Sequence, residues 1–135
     1  MAGYSSNPLW KKLGYKTDLC VFVDGEPPEY FELLHLPAEI NVRWLPKAEP
    51  GMDFVHLFCR DAATLGKKLA RLRRLIAPGG VIWVSWPKKA SGVQTDVSED
   101  VVRNSALAIG LIDIKVCAVD EVWSGLKLMI RRIQR

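Results

Sequence analysis

Long apolar runs are missing from this chain of 135 residues. No stretch approaches the ~18 consecutive apolar residues that a membrane span needs. The opening MAGYSSNPLWKK holds no apolar segment of a secretory signal. The expectation is a cytoplasmic protein with no membrane partner. Histidine is scarce, at two residues, and cysteine stops at three. Three is odd, and Cys20, Cys59 and Cys117 each lie in an apolar strand-like run, so they read as reduced core thiols and not as a disulfide frame. Acidic residues are absent between Ala62 and Pro87, where five basic ones occur, and Arg131, Arg132 and Arg135 crowd the carboxyl end. The net charge of +4 (19 basic, 15 acidic) is too mild to indicate nucleic acid by itself. Repeats, linkers and low-complexity tracts are lacking. With 49% apolar and 25% charged residues, residues 1–135 read as one soluble domain around one core.

What is present is an alternation of strands and helices. Ser6, Asn7 and Pro8 open a short helix, with Asn7 as cap and Pro8 in the first helical position, and Gly14 ends it. Residues 19–23 (LCVFV) are apolar throughout, as in a strand covered on both faces. The turn Asp24-Gly25-Glu26-Pro27-Pro28 follows, then a short helix to about His35, whose ring is expected at the terminal carbonyls. Residues 40–45 (INVRWL) and 54–59 (FVHLFC) are further strand candidates. Asp61 then caps a long helix whose apolar positions Ala62, Leu65, Leu69, Leu72 and Ile76 form one stripe, with Lys67, Lys68, Arg71 and Arg74 towards the other side. Pro78-Gly79-Gly80 breaks it and residues 81–86 (VIWVSW) form a strand. Ser98 caps a last helix, closed at Gly110, with Glu99 and Asp100 favoured in its first turn. Residues 111–119 and 126–133 have no helix between them and pair as an antiparallel hairpin.

This order resembles a known fold. Residues 53–84 look like the fourth strand, following helix and fifth strand of class I S-adenosylmethionine-dependent methyltransferases, in which a Pro-Gly-Gly turn feeds a strand much like residues 81–84. The next helix and the closing hairpin also match. The resemblance implies a three-layer, Rossmann-like, methyltransferase-like α/β fold, with a mostly parallel sheet of about six strands and a carboxyl-terminal antiparallel hairpin. A closer resemblance, over almost the whole chain, is to small bacterial proteins grouped only as a domain of unknown function. It rests on AGYSSNPLWKKLG, WVSWPKKASG and KVCAVDEVWSGLKLMIR, and implies no activity.

The departures from methyltransferases bear on function. The loop after their first strand carries several glycines; here Asp24-Gly25-Glu26-Pro27-Pro28 has one glycine and two prolines, and proline removes amide donors. Their second strand ends near an acid for ribose hydroxyls; here it ends Trp44-Leu45-Pro46-Lys47. Seven residues separate Leu45 from Asp53, where a parallel crossover takes a dozen or more. An antiparallel second strand is therefore favoured over a straight return to a parallel one. No cofactor is expected, with S-adenosylmethionine as the alternative.

Ligands of such sheets bind beyond the carboxyl ends of the strands. That places a candidate anion site on Trp86, Lys88, Lys89, Ser91 and Gly92, with Trp86 as an apolar wall or, alternatively, packed under a helix. Asp24, Arg60 and Asp61 are expected to converge near it, although Asp24 and Arg60 can equally form an ion pair and Asp61 a cap. His56 and Cys59, three apart on a strand, face opposite sides and exclude a shared metal. No nucleophile with its base can be assembled, because Ser85 lies inside a strand and Ser91 has no histidine nearby. Trp123 reads as packing, with a homodimer contact as the alternative.

Three functions compete. The first is a non-catalytic protein binding a small anionic ligand or partner on a degenerate methyltransferase-like scaffold. The second is an enzyme, a divergent methyltransferase. The third is a nucleic-acid-associated protein using the basic helix face, disfavoured because no aromatics interleave with its charges.

Overall fold

The computed structural model describes residues 7–134; Ser6 and Arg135 lie outside them. Among them, four α-helices and six strands succeed one another as α1 (Leu9–Leu13), β1 (Cys20–Asp24), α2 (Tyr30–Leu34), β2 (Arg43–Trp44), β3 (Met52–Phe58), α3 (Ala62–Leu75), β4 (Ile76–Pro87), α4 (Glu99–Leu107), β5 (Leu111–Ala118) and β6 (Trp123–Ile130). One sheet of six strands runs in the order β2-β1-β3-β4-β6-β5. The neighbours from β2 to β4 pair in parallel, and β6 lies antiparallel between β4 and β5. This is a methyltransferase-like α/β architecture, and the closing hairpin pairs as its sequence predicts.

The layers follow from strand parity. In β3, Val55 and Leu57 point into the core beneath α3 and α4, with Leu65, Leu69, Leu72, Val102 and Ala106. The intervening Phe54 and Phe58 point to the opposite face, under Leu9 and Leu13 of α1 and Tyr30 and Leu34 of α2. A strand covered on both sides must be apolar on both, which is why β3 reads as an apolar run broken only by Asp53 and His56. His56 and the following Cys59 belong to opposite faces, as the spacing predicts. The cysteines are free, with Cys59 buried and Cys20 and Cys117 half-buried.

Three local readings are corrected. The β2 strand is parallel to β1, not antiparallel. It is two residues long and level with Val21, whose partner on its other side is Phe54, near the start of β3. The return to Met52 therefore spans only about 14 Å, within the reach of seven residues. Second, Pro78-Gly79-Gly80 lies inside β4, which begins directly after α3. The ladder jumps from Met52–Ile76 to Phe54–Val81, so the three residues bulge out of it. Third, α1 is capped at Pro8, one residue later than expected: its extended backbone presents the carbonyl that accepts from the Lys11 and Lys12 amides. Gly14 ends the helix at φ +91°. His35 closes α2 through its backbone, left-handed at φ 51°, with its amide donating to the Glu32 carbonyl.

Candidate functional site

The carboxyl ends of the parallel strands carry a row of clefts, and the predicted site residues are divided among them. One, of about 590 Å³, lies beyond β4 and beside the start of β6. Trp86, Lys88 and Lys89 from the loop after β4 line it together with Asp96, Ser98, Glu99 and Asp100 from the start of α4 and the segment before it. Trp86 is both wall and core, since it is buried against Val97 and Val102 while still lining the groove. Lys88 Nζ donates to the Asp120 carbonyl at 2.6 Å, and the Lys88 amide donates to the Val122 carbonyl. That lysine fastens the loop to the hairpin. Lys89, exposed, enters no ion pair among the described residues.

Ser91 and Gly92 build the loop. Ser91 Oγ donates to the Lys88 carbonyl at 2.6 Å and accepts from the Val93 amide. Gly92, at φ +76°, closes the 3-10 turn of Lys89–Ser91, a conformation that favours glycine. The bonds of Ser91 Oγ stay within the loop.

Arg60 and Asp61 border a second, open cleft of about 480 Å³ with Thr64, Lys68 and Gln94. The Arg60 carbonyl accepts from Thr95 Oγ1 and the Ala62 amide donates to Asp96, so this segment does meet the loop that follows β4. Asp61 is the predicted helix cap: its carboxylate accepts from Thr64 Oγ1 and the Thr64 amide. Those two bonds hold its pKa below the usual carboxylate range. Asp24, at the end of β1, pairs with Lys68 at 2.9 Å and not with Arg60. It belongs to a third cleft, between α3 and the loop after β2.

A polar chain that the sequence reading passed over crosses the other face. Tyr15 and Tyr30 hydroxyls meet at 2.7 Å, Tyr30 reaches His56 Nδ1 at 2.8 Å, and His56 Nε2 meets Ser85 Oγ at 2.7 Å. Burial lowers the His56 pKa to about 3, so the imidazole is neutral and offers one donor and one acceptor. Burial likewise raises both tyrosines. Ser85 and His56 are a hydroxyl and a base within reach of each other, but both are fully buried, at 0% exposure. A nucleophile needs access to a substrate, so the pair is structural. The available signal was parity: both are polar residues of apolar strands whose neighbours put them on the same face.

Above this chain the β1 loop closes down on β3. A Cβ built on Gly25 would stand 2.5 Å from the Phe58 carbonyl oxygen. Phe58 stacks on His56 and meets Tyr30 and Trp123 edge-on, so Trp123 packs as expected. No group of three potential metal ligands occurs among the described residues, nor is any helix long and apolar enough to cross a membrane.

This sheet order, with its antiparallel strand inserted beside the last, defines the methyltransferase-like class of folds, and solved structures agree. Magnesium protoporphyrin IX methyltransferase (ChlM) from Synechocystis PCC 6803, with bound SAH, is similar at a TM-score of 0.60 and 12% identity, over 90% of this chain and 78% of that one. A ribosomal protein L11 methylase from Lactobacillus delbrueckii subsp. bulgaricus gives 0.56 and 10%, over 91% and 75%. LepI in complex with SAM gives 0.57 and 14% over 93% of this chain, which spans only 47% of LepI. At such identities the likeness is one of fold. The chain itself belongs to a family of proteins of unknown function, DUF3052, which matches residues 47–132. No curated protein matches it.

Proposed function

We propose that the protein is a non-catalytic binding protein on a methyltransferase-like scaffold. Its ligand is a small molecule with an anionic group at one end and an amine or hydroxyls at the other. The observation that carries this reading is the two-signed groove beyond β4, lined by Lys89 and by Asp96, Glu99 and Asp100. The acids refine the expectation of a simply anionic ligand: Arg103 pairs with Glu99 and Asp100 and the Ala62 amide donates to Asp96, which still leaves carboxylate oxygens to accept from an amine or hydroxyl. Trp86 supplies an apolar floor. The test is a nuclear magnetic resonance titration with amino acids and their phosphates as probes. Saturable shifts are expected at the Trp86 indole and the Lys89 and Ser98 amides, with affinity reduced about tenfold in Lys89→Ala. Undiminished affinity in that variant overturns the placement.

The fold implies S-adenosylmethionine, and the residues of this chain do not suit it. A cradle of backbone amides after β1 is opposed by Pro27 and Pro28 and by the contact of Gly25 with Phe58. Lys47 follows β2 where a ribose would call for an acid. These observations support binding without methyl transfer.

A further inference from the structure

The third cleft has a different chemistry, and its origin is the short connection after β2. Because seven residues join Leu45 to Asp53 without a helix, the flank of α3 next to β1 is covered only by a loop. That loop is fixed at both ends: the Leu45 amide donates to the Val21 carbonyl and the Gly51 amide to the Leu75 carbonyl, each at 2.8 Å. The result is a preformed cleft of about 220 Å³ between loop and helix.

Its floor is apolar, from Phe22 and the buried Leu72, and its rim carries Lys47, Lys68 and Arg71. The single acid lining it, Asp24, is paired with Lys68 at 2.9 Å. Three cations against one carboxylate leave a surplus of two positive charges. The cations come from the loop after β2 and from α3 and share the cleft with apolar residues, whereas Lys67 and Arg74 of α3 do not line it. A volume of 220 Å³ is below that of a drug-sized site and suits one substituted ring.

We infer that this cleft binds a small ring-bearing phosphomonoester, its ring on Phe22 and Leu72 and its phosphate between Lys47 and Arg71. A phosphate of about −1.5 to −2 charge at neutral pH matches the surplus better than a carboxylate does, and the Arg71 guanidinium can bind it through two parallel bonds. The site is separate from the groove at Lys89 and does not depend on the reading given to that groove.

The probe is phenyl phosphate, titrated into isotope-labelled protein beside benzoate and phenol. Saturable shifts are expected at the Lys47, Ala48, Lys68 and Arg71 amides, with phenyl phosphate binding about tenfold more tightly than benzoate. Lys47→Ala and Arg71→Ala should each weaken it by about tenfold, while Lys89→Ala leaves it unchanged. Retained spectral dispersion shows that each variant is folded. Equal affinity for phenol, unchanged affinity in Arg71→Ala, or no saturable shift at millimolar phenyl phosphate would overturn the assignment.

Discussion

His56 carries the sharpest consequence at the scale of single residues. Its pKa is about 3 in the folded protein because burial penalises the charged ring, while an unfolded chain returns it to about 6.5. Below the unfolded value the unfolded state takes up a proton that the folded state refuses. The stability is therefore fully present above about pH 6.5 and is lost as pH falls towards 3, with a slope near 1.4 kcal/mol per pH unit. Urea unfolding at stepped pH checks this: a His56→Gln variant should lose that part of the slope, and a slope equal to wild type would contradict it. Asp61 offers a smaller test. Its carboxylate closes the first turn of α3 through Thr64, so Asp61→Ala should lower the midpoint of the same unfolding curves, and an unchanged midpoint would contradict the cap.

At the scale of elements, the junctions decide more than the elements do. Gly25 combines φ +75° with a Cβ position 2.5 Å from the Phe58 carbonyl. Gly25→Ala therefore adds backbone strain to a clash with rigid backbone, at a cost of about 3 kcal/mol, to be measured by denaturant unfolding. The α3 helix, its Asp61 cap and its stripe were legible in sequence because capping and 3.6-residue periodicity are local. The β4 bulge was not. Pro78-Gly79-Gly80 reads as a helix stop from local propensity, but once Met52 pairs with Ile76 the same residues lie within a strand. Direction in β2 was hidden for a similar reason: loop length was judged against a full strand, and the strand has two residues.

For the whole molecule, the issue is what a methyltransferase-like sheet does when its first loop is packed shut. With Gly25 against Phe58, and Phe58 held by His56, Tyr30 and Trp123, S-adenosylmethionine at millimolar concentration should leave the thermal midpoint unmoved. A ligand at 100 times its dissociation constant would add about 2.7 kcal/mol, so a clear upward shift would restore the enzymatic reading. Two members of the basic face of α3 have other engagements at this scale: Lys68 pairs with Asp24, and Lys68 and Arg71 border a cleft.

The chain's own pattern determined the alternation of elements, the two-sided apolar strands, the caps at Asp61 and Ser98, and the hairpin, because each is set by neighbours a few residues apart. It also pointed to the carboxyl ends of the strands as the place for a site. Only the tertiary structure decided how the candidate residues divide. Lys88 and Ser91 turned out to bond their own loop and hairpin, Asp24 chose Lys68 over Arg60, and Asp96, Glu99 and Asp100 came to share a groove with Lys89. The Lys88 and Asp24 outcomes depend on contacts between segments ~30 residues or more apart, whose spacing is fixed by sheet register and helix packing and has no local signature, whereas the Ser91 bond and the grouping of Lys89 with the acids arise within one stretch of chain whose path depends on the elements around it.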